Sequence, residues 1–219
     1  MIGLARILAG LFPDGVGHGV VPIGAGGELW PGEAEAVAGA VDHRRAEFAA
    51  GRHAARCAMA AAGLSGAAIP AAPDRAPVWP EGVVGSITHA EDVALAVAAP
   101  DTLVAGLGLD VEPDAPLPRD VLSEICDGGE CAWLAGQTEP LRWARLIFCA
   151  KEAAFKCQYP ASCALFGFDA MSVRVDPAAG ALEAVFNRAY APFPAGARLQ
   201  GRFARTGGLV VAGFLRQVG

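Results

Sequence analysis

Two carboxylates, Asp110 and Glu112, end an apolar run of sequence that is typical of a β-strand. Strand residues at this spacing project to the same face, so both side chains can reach one cation. Mg²⁺ prefers a few carboxylates together with phosphate oxygens and water, and the pair suits that chemistry. The same pair is also typical of a solvated strand end that leads into a turn at Pro113. The pair alone does not separate the two interpretations.

The chain has 17 basic residues, and only Lys151 and Lys156 are lysines. Glu152 lies between them, four residues before Lys156, so the two share a face of a predicted helix. Such a pair is usually surface decoration worth a few tenths of a kcal/mol. Two compact ammonium groups kept in an Arg-rich chain favour a specific role instead. Next to phosphates, Glu152 could be a metal ligand, a general base or both.

Arginines mark one face of a second predicted helix, which begins at Asp42 as its cap and ends near Gly63. Arg45, Arg52 and Arg56 lie on nearly one face of it, and Arg44 flanks them. Guanidinium groups suit bidentate phosphate contacts. A solvated face paired with nearby acids explains the helix equally well.

A strand predicted at 83–89 ends at His89, with Ser86 and Thr88 on one face and His89 on the other. A lone His at a strand end is more often structural or solvated than catalytic. Ser86 does not lie in a G-x-S-x-G elbow, so nothing here indicates a Ser-His-Asp hydrolase.

The elements that must carry these residues come in a repeated order. Residues 1–40 are rich in Gly and Pro and give no clear pattern. The first half then predicts a helix and three strands, and the second half predicts short helices, a long helix and more strands. The predicted ranges are helices at 42–63, 119–136 and 140–158, and strands at 83–89, 93–99, 103–112, 170–175, 182–186, 197–204 and 208–216. This order favours an α+β pseudodimer with halves 1–112 and 113–219 and a cleft between them.

Composition narrows the class of protein. Hydrophobic residues make up 53% and charged residues 18%, which excludes a disordered chain. The net charge of −6 argues against a nucleic-acid binder. The apolar start lacks the basic region of a signal peptide, and Gly and Pro interrupt the longest uncharged run. A cytoplasmic protein without stable membrane association is predicted, and its six cysteines, none spaced C-x-x-C, are expected to be mostly buried free thiols.

Taken in order, several segments resemble a known family. They are RRAEFAAGRHAAR (44–56), RAPVWPEGVVGSITH (75–89), GLGLDVEP (106–113), FCAKEAAFKCQYP (148–160), FGFDAM and GLVVAGF. The set resembles the 4′-phosphopantetheinyl transferases of the Sfp-like superfamily, of the enterobactin synthase component D type, over residues 40–216. Cys149 stands where such proteins often have Ser, and Arg75 is the cation before the Trp-Pro segment.

The resemblance implies the 4′-phosphopantetheinyl transferase fold, α+β with two pseudo-equivalent halves and the active site between them. It also implies Mg²⁺-dependent transfer of the phosphopantetheine arm of coenzyme A to a Ser of an acyl or peptidyl carrier protein. Adenosine 3′,5′-bisphosphate is released. The carrier belongs to siderophore, other nonribosomal peptide, polyketide or fatty-acid synthesis, which the sequence does not distinguish, and a monomer is the expected state.

The resemblance also implies roles for individual residues. Asp110, Glu112 and Glu152 would hold Mg²⁺, and Glu152 would act as the general base, directly or through water. Lys156 would be catalytic together with Glu152. The residues expected to contact coenzyme A are Lys151 and Lys156 at the phosphates, Arg44, Arg52 and Arg75 at the nucleotide end, and Thr88, His89 and Asp110, with Arg45 as a rival to Arg44. The carrier is expected at the loop after Lys156, formed by Tyr159, Leu165 and Phe166, although those residues suit a core equally well.

Two other functions remain open from the sequence. One is a Mg²⁺-dependent coenzyme A or nucleotide pyrophosphatase that uses the same carboxylates with water as the nucleophile. The other is a non-catalytic protein that binds coenzyme A or a carrier. Cleavage of coenzyme A without a carrier would favour the first, and binding without turnover would favour the second.

Overall fold

The computed structural model describes residues 2–219, and they form two compact units. One unit comprises the chain up to Leu107 together with Gln217–Gly219, and the other comprises Gly108–Arg216. Each contains helices and an antiparallel sheet, so the predicted α+β class is confirmed. The predicted halves met between residues 112 and 113. The compact units divide earlier, and Asp110 and Glu112 therefore belong with the second unit.

In the first unit, a long helix covers one face of a small sheet. The elements are α1 (Ile2–Leu11), β1 (Gly17–Pro22), a 3₁₀ helix (Ala34–Val37), α2 (Asp42–Ala61), β2 (Val83–Ala90) and β3 (Val93–Pro100). Among the described residues of this unit the sheet has three antiparallel strands in the order β1-β3-β2. The central strand β3 is buried from Val93 to Ala99, which explains why its sequence is almost continuously apolar.

Small residues let α2 approach the sheet closely. Ala54 and Ala58 of α2 are fully buried, and β1 faces them with Gly17 and Gly19. A Cβ on either glycine would lie 2.0 Å from the carbonyl oxygen of Ala58 or Ala54. The sequence prediction included neither strand β1 nor helix α1. For β1, close packing against α2 requires two glycines, and glycines weaken the sequence pattern of a strand.

The ends of α2 differ partly from the prediction. Val41 is the N-cap, and Asp42 is the first helical residue, with no side-chain cap bond at this end, so the predicted Asp42 cap is wrong. A carboxylate in the first turn still complements the helix dipole. At the other end, Gly63 follows the helix with φ +73°, the left-handed conformation expected of a glycine there.

The second unit is built on α5 and a larger sheet. Its elements are a 3₁₀ helix (Arg119–Val121), α3 (Leu122–Ile125), α4 (Gly128–Leu134), α5 (Pro140–Ser162), a 3₁₀ helix (Phe168–Ala170), β5 (Met171–Asp176), β6 (Ala181–Phe186), β7 (Arg198–Thr206) and β8 (Leu209–Gln217). With β4 (Val104–Pro113), the strands in the described chain form a five-stranded sheet ordered β4-β8-β7-β6-β5. The core of this unit includes the buried α5 face, with Ile147, Ala150 and Ala154.

Two further predictions concern the chain as a whole. Cys126, Cys149 and Cys157 are buried and Cys163 is exposed, and all six cysteines are free thiols. Within residues 2–219, no helix combines the length and the apolar character that crossing a membrane requires.

Candidate functional site

Two elements of the second unit bring the predicted carboxylates together. Asp110 and Glu112 lie at the end of β4, and Glu152 and Lys156 lie one turn apart on α5. Gly108 permits this approach, since a Cβ there would lie 1.9 Å from the carbonyl oxygen of Ala153. The glycine therefore sets how closely the strand-end carboxylates approach the helix.

Lys156 is bound to β4 through its ammonium group. Its Nζ donates to Oδ1 of Asp110 at 2.6 Å and to the carbonyl oxygen of Leu109 at 3.3 Å. Burial acts against the charged ammonium, but Asp110 and Glu152 outweigh it and raise the pKa of Lys156. Lys156 therefore remains a cation, fixed beside the carboxylates.

The carboxylates repel one another. Burial, followed by the charge of Asp110, raises the pKa of Glu152, and Lys156 offsets only part of this. The pKa of Glu112 is raised by the same two causes, although Arg145 donates to it at 3.0 Å. A carboxyl group with a raised pKa beside a cation is suited to accepting a proton near neutral pH.

Oxygen donors of this kind suit a hard cation such as Mg²⁺, and bound cation charge would relieve the repulsion between them. In this structure Asp110 and Glu112 are instead engaged by Lys156 and Arg145. Among the residues the structure describes, no group of three or more His, Cys, Asp or Glu side chains lies close enough to hold a metal ion. The carboxylate oxygens are suitable ligands for Mg²⁺, but the described side chains do not form a complete coordination site.

A small apolar cavity lies beside Glu152. Its volume is about 130 Å³, and its lining includes Phe155, Phe166, Phe168 and Met171. Phe155 and Phe166 are partly buried and belong to an aromatic cluster with Tyr159 and Tyr190. The residues predicted to meet a carrier therefore differ in their surroundings. Phe166 packs on the core and Tyr159 contacts the Phe155 ring, whereas Leu165 is 74% exposed.

Lys151 does not occupy the position that the resemblance implied. Its Nζ donates to Oε2 of Glu130 at 2.8 Å and to the carbonyl oxygens of Ile125 and Phe168. The residue is 3% exposed, and protein oxygens accept all three of its donors. The predicted contact with phosphates does not fit this arrangement. Lys151 instead links α5 to α3, to α4 and to the 3₁₀ helix Phe168–Ala170.

The first unit has its own basic cleft, with a volume of about 430 Å³. Among the described residues that line it, the basic side chains are Arg44, Arg52, Arg75 and His89. Gly51 and Ile87 also line the cleft, and the Gly51 Cα approaches Ile87 closely enough that a Cβ would lie 3.0 Å from its methyl group. The cleft thus collects basic residues from α2, β2 and the loop between them.

Side-chain packing fixes Arg52, and a backbone turn holds Arg75. Arg52 lies over the Phe48 ring at 4.0 Å, and its Nε donates to the carbonyl oxygen of Ile69 at 2.6 Å. Burial lowers the pKa of Arg52 to about 10, so it remains charged at neutral pH. Arg75 has φ +72°, uncommon for a residue with a side chain, in a turn closed by its N–H and the carbonyl oxygen of Ala72. A positive φ at a residue that lines a cleft is one observation in favour of a functional role.

Two pairs of neighbouring residues have side chains in different places. Arg44 lines the cleft, whereas Arg45 turns back and donates to the carbonyl oxygen of Ala38 at 2.9 Å. His89 shares the Ile87 face of β2 and reaches the cleft, whereas Thr88 is buried on the opposite face. The phosphate contact of Thr88 therefore remains a prediction, and it does not involve this cleft.

Sequence reasoning missed several residues that the structure places at these sites. Glu130 caps α4 together with Asp127 and pairs with Lys151, and the spacing D-x-x-E was a signal for it. Glu47 lines the basic cleft, and in the sequence it is one of the nearby acids that could pair with the arginines of a solvated face. Arg145 and Gly108 had no signal of their own, because their roles arise from contacts across the second unit.

Comparisons with known proteins identify the family of the chain. Residues 32–99 match the 4′-phosphopantetheinyl transferase N-terminal domain, and residues 106–203 match the 4′-phosphopantetheinyl transferase superfamily. The chain is 42% identical over 193 residues to 4′-phosphopantetheinyl transferase Svp of Streptomyces mobaraensis, covering 84% of this chain and 76% of the relative. It is 39% identical to the transferase Npt of Nocardia iowensis, covering 64% and 63% of the two chains. Enterobactin synthase component D of Salmonella typhi is 32% identical, covering 66% and 61%.

The chain therefore belongs to the 4′-phosphopantetheinyl transferase family. It is a transferase, and the family that the sequence motifs resembled is confirmed.

Proposed function

We propose that this transferase moves the 4′-phosphopantetheine arm of coenzyme A to a Ser hydroxyl of an acyl or peptidyl carrier protein. Adenosine 3′,5′-bisphosphate is the leaving group. The observation that carries the proposal is the cluster of Asp110, Glu112, Glu152 and Lys156, which joins a cation, paired carboxylates and a carboxyl group of raised pKa. The names of the relatives support the same reaction.

The basic cleft of the first unit is assigned to the nucleotide end of coenzyme A. Arg44, Arg52, Arg75 and His89 suit its phosphate groups, and Phe48 is fixed under Arg52. Because the protein has a net charge of −6, anion binding depends on such a local concentration of cations.

Asp110, Glu112 and Glu152 are assigned to Mg²⁺, on the strength of their oxygen donors and their mutual repulsion. When bound, Mg²⁺ supplies charge neutralisation on the pyrophosphate oxygens. Arg145 holds Glu112 in place, and Lys156 holds Asp110, so the donors are oriented by their own ion pairs.

Glu152 is the proposed general base. It accepts the proton of the carrier Ser hydroxyl, directly or through one water, and the Ser oxygen forms a bond to the β-phosphorus of coenzyme A. The bond from that phosphorus to the bridging oxygen breaks, and the electron pair leaves with adenosine 3′,5′-bisphosphate. Lys156 supplies positive charge near the departing phosphate.

The carrier is assigned to the surface near Glu152. Leu165 is exposed and follows α5, and Phe166 lines the cavity that Glu152 also lines. An apolar contact at this position would hold a carrier helix while its Ser approaches the base. The proposal also includes a monomer and a cytoplasmic location. One relative is named for enterobactin synthesis, which favours a carrier of nonribosomal peptide or siderophore synthesis.

The test is incubation of the protein with coenzyme A, Mg²⁺ and a panel of purified apo carriers, followed by intact mass measurement. Transfer adds about 340 Da to the carrier as a covalent group. No mass shift on any carrier would refute the proposal. Cleavage of coenzyme A without a carrier would indicate a pyrophosphatase instead.

Single substitutions test the roles assigned to Glu152 and Asp110. Glu152→Gln should abolish transfer while leaving coenzyme A binding intact, and Glu124→Gln, at an exposed position, should behave as wild type. Asp110→Asn should abolish the Mg²⁺-dependent part of the rate, with Asp120→Asn as its control. Full transfer in the presence of excess chelator would refute the metal assignment.

A further inference from the structure

An acidic residue lies inside the cleft that is otherwise basic. Glu47 accepts a hydrogen bond on Oε2 from Nη1 of Arg44 at 3.1 Å. Nη1 is also 3.0 Å from Nε2 of His89, and Nδ1 of His89 is 3.8 Å from Oε1 of Glu47. His43 approaches the same Oε1 from the helix exterior at 3.1 Å. Arg44, Glu47 and His89 therefore form a closed triangle at the wall of the cleft.

The chemistry of the guanidinium group determines the protonation within the triangle. Arginine has donors only, so Nε2 of His89 must be unprotonated to accept from Arg44. A neutral His89 ring then carries its proton on Nδ1, the nitrogen that faces Glu47. The two hydrogens of Arg44 Nη1 are directed at Glu47 and His89.

This arrangement leaves one edge of Arg44 for a ligand. Among the hydrogen bonds of the described residues, those of Arg44 use Nη1 alone. The Nε and Nη2 groups form the fork that binds a phosphate through two parallel hydrogen bonds. The Arg44 side chain is 50% exposed, so without an anchor its orientation would be poorly fixed.

We propose that Glu47 is a positioning residue for anion recognition in this cleft. It fixes Arg44 so that the Nε–Nη2 edge faces a phosphate group, and it holds His89 as the Nδ1–H tautomer. The identity of the ligand as coenzyme A rests on the proposed function, whereas the orientation of Arg44 and His89 does not. Glu47 is ionised at neutral pH: burial acts to raise its pKa, but the hydrogen bond and the charge of Arg44 act to lower it, and the net shift is downward.

Charge repulsion alone and a positioning role predict opposite effects of Glu47 on phosphate binding. A carboxylate near a phosphate repels it, so removing Glu47 would tighten binding if charge alone mattered. A positioning role requires weaker binding, because Arg44 and His89 lose the geometry in which they meet the ligand. The sign of the change therefore decides between the two.

The kinetic test compares Glu47→Ala, Glu47→Gln and the control Glu35→Gln in the carrier mass-shift assay. Glu35 is exposed on the 3₁₀ helix Ala34–Val37, and its replacement removes the same charge. We expect Glu47→Ala to raise the KM for coenzyme A by about tenfold and to leave kcat within about twofold of the wild type. A tenfold rise corresponds to the loss of one charge-assisted hydrogen bond. Glu47→Gln keeps an acceptor and should raise KM less. An unchanged or lowered KM in Glu47→Ala would overturn the proposal.

A second measurement needs no ligand. Nitrogen-15 NMR of the histidine rings at pH 8 reports which ring nitrogen carries the proton, with His89→Gln used to assign the signal. We expect His89 to be the Nδ1–H tautomer in the wild type and a mixture in Glu47→Ala. A wild-type ring protonated on Nε2, or an unchanged ring in Glu47→Ala, would refute the positioning role. If the tautomer responds but no carrier is modified, the proposed function fails and the positioning role stands.

Discussion

Replacing Gly108 by Ala tests how the paired carboxylates are placed. The added Cβ would lie 1.9 Å from the Ala153 carbonyl oxygen and 2.7 Å from the Cys157 amide nitrogen, both backbone atoms of α5. Backbone atoms cannot rotate away as a side chain does. The strand and the helix must therefore separate by about 1 Å before the contact is tolerated.

The separation has two measurable consequences. Overpacking of this kind lowers the free energy of unfolding by about 1–3 kcal/mol. If β4 takes up the whole shift, the bond between Asp110 and Lys156, now 2.6 Å, lengthens beyond the range of a hydrogen bond. A misplacement of about 1 Å at a reacting centre costs up to about 100-fold in rate.

The assay is carrier modification followed by mass, together with urea unfolding of the same samples. The matched control is Gly136→Ala, because a Cβ at Gly136 would meet its nearest neighbour at an ordinary 3.6 Å. We expect the control to keep both stability and kcat/KM. If Gly108→Ala matched the control in both, the argument that close approach of β4 and α5 sets the site would be refuted.

Three further predictions follow from single contacts. Lys156→Arg should reduce kcat/KM by at least about tenfold with an unchanged circular dichroism spectrum, since a planar guanidinium cannot replace the compact ammonium in its two hydrogen bonds; wild-type activity would contradict this. Arg44→Ala should raise the KM for coenzyme A about tenfold, whereas Arg45→Ala, whose side chain turns away from the cleft, should not; equal effects in steady-state kinetics would reject the assignment. Burial acts to raise the pKa of Asp127, but hydrogen bonds from Ser172 and the backbone lower it overall. The ionised carboxylate therefore stabilises the fold above its ordinary pKa of 3.8, and this stabilisation is lost as the pH falls through the lowered pKa. Asp127→Ala should therefore lower stability by about 1 kcal/mol at pH 7, with the difference from wild type shrinking in thermal unfolding at pH 3; a constant difference would contradict the sign.

The sequence determined the family, the α+β class and most of the elements, because those follow from local patterns. Helix α2 and strands β2, β3 and β4 lie within a residue or two of their predicted ranges, since alternation and helical periodicity are properties of neighbouring residues. Both lysines lie on α5, within a helix that the sequence also predicted. Strand β1 was not predictable in this way, because its glycines make sense only against the backbone of α2.

Only the tertiary structure separated the roles of residues that look alike in sequence. Lys151 and Lys156 are five residues apart on one helix, yet one is buried on Glu130 and the other lies beside Asp110. Arg44 and Arg45 are neighbours, and only Arg44 reaches the cleft. The charge partners of a side chain come from elements that are distant in the sequence. These partners decide whether a basic side chain stabilises the fold or is available to a ligand.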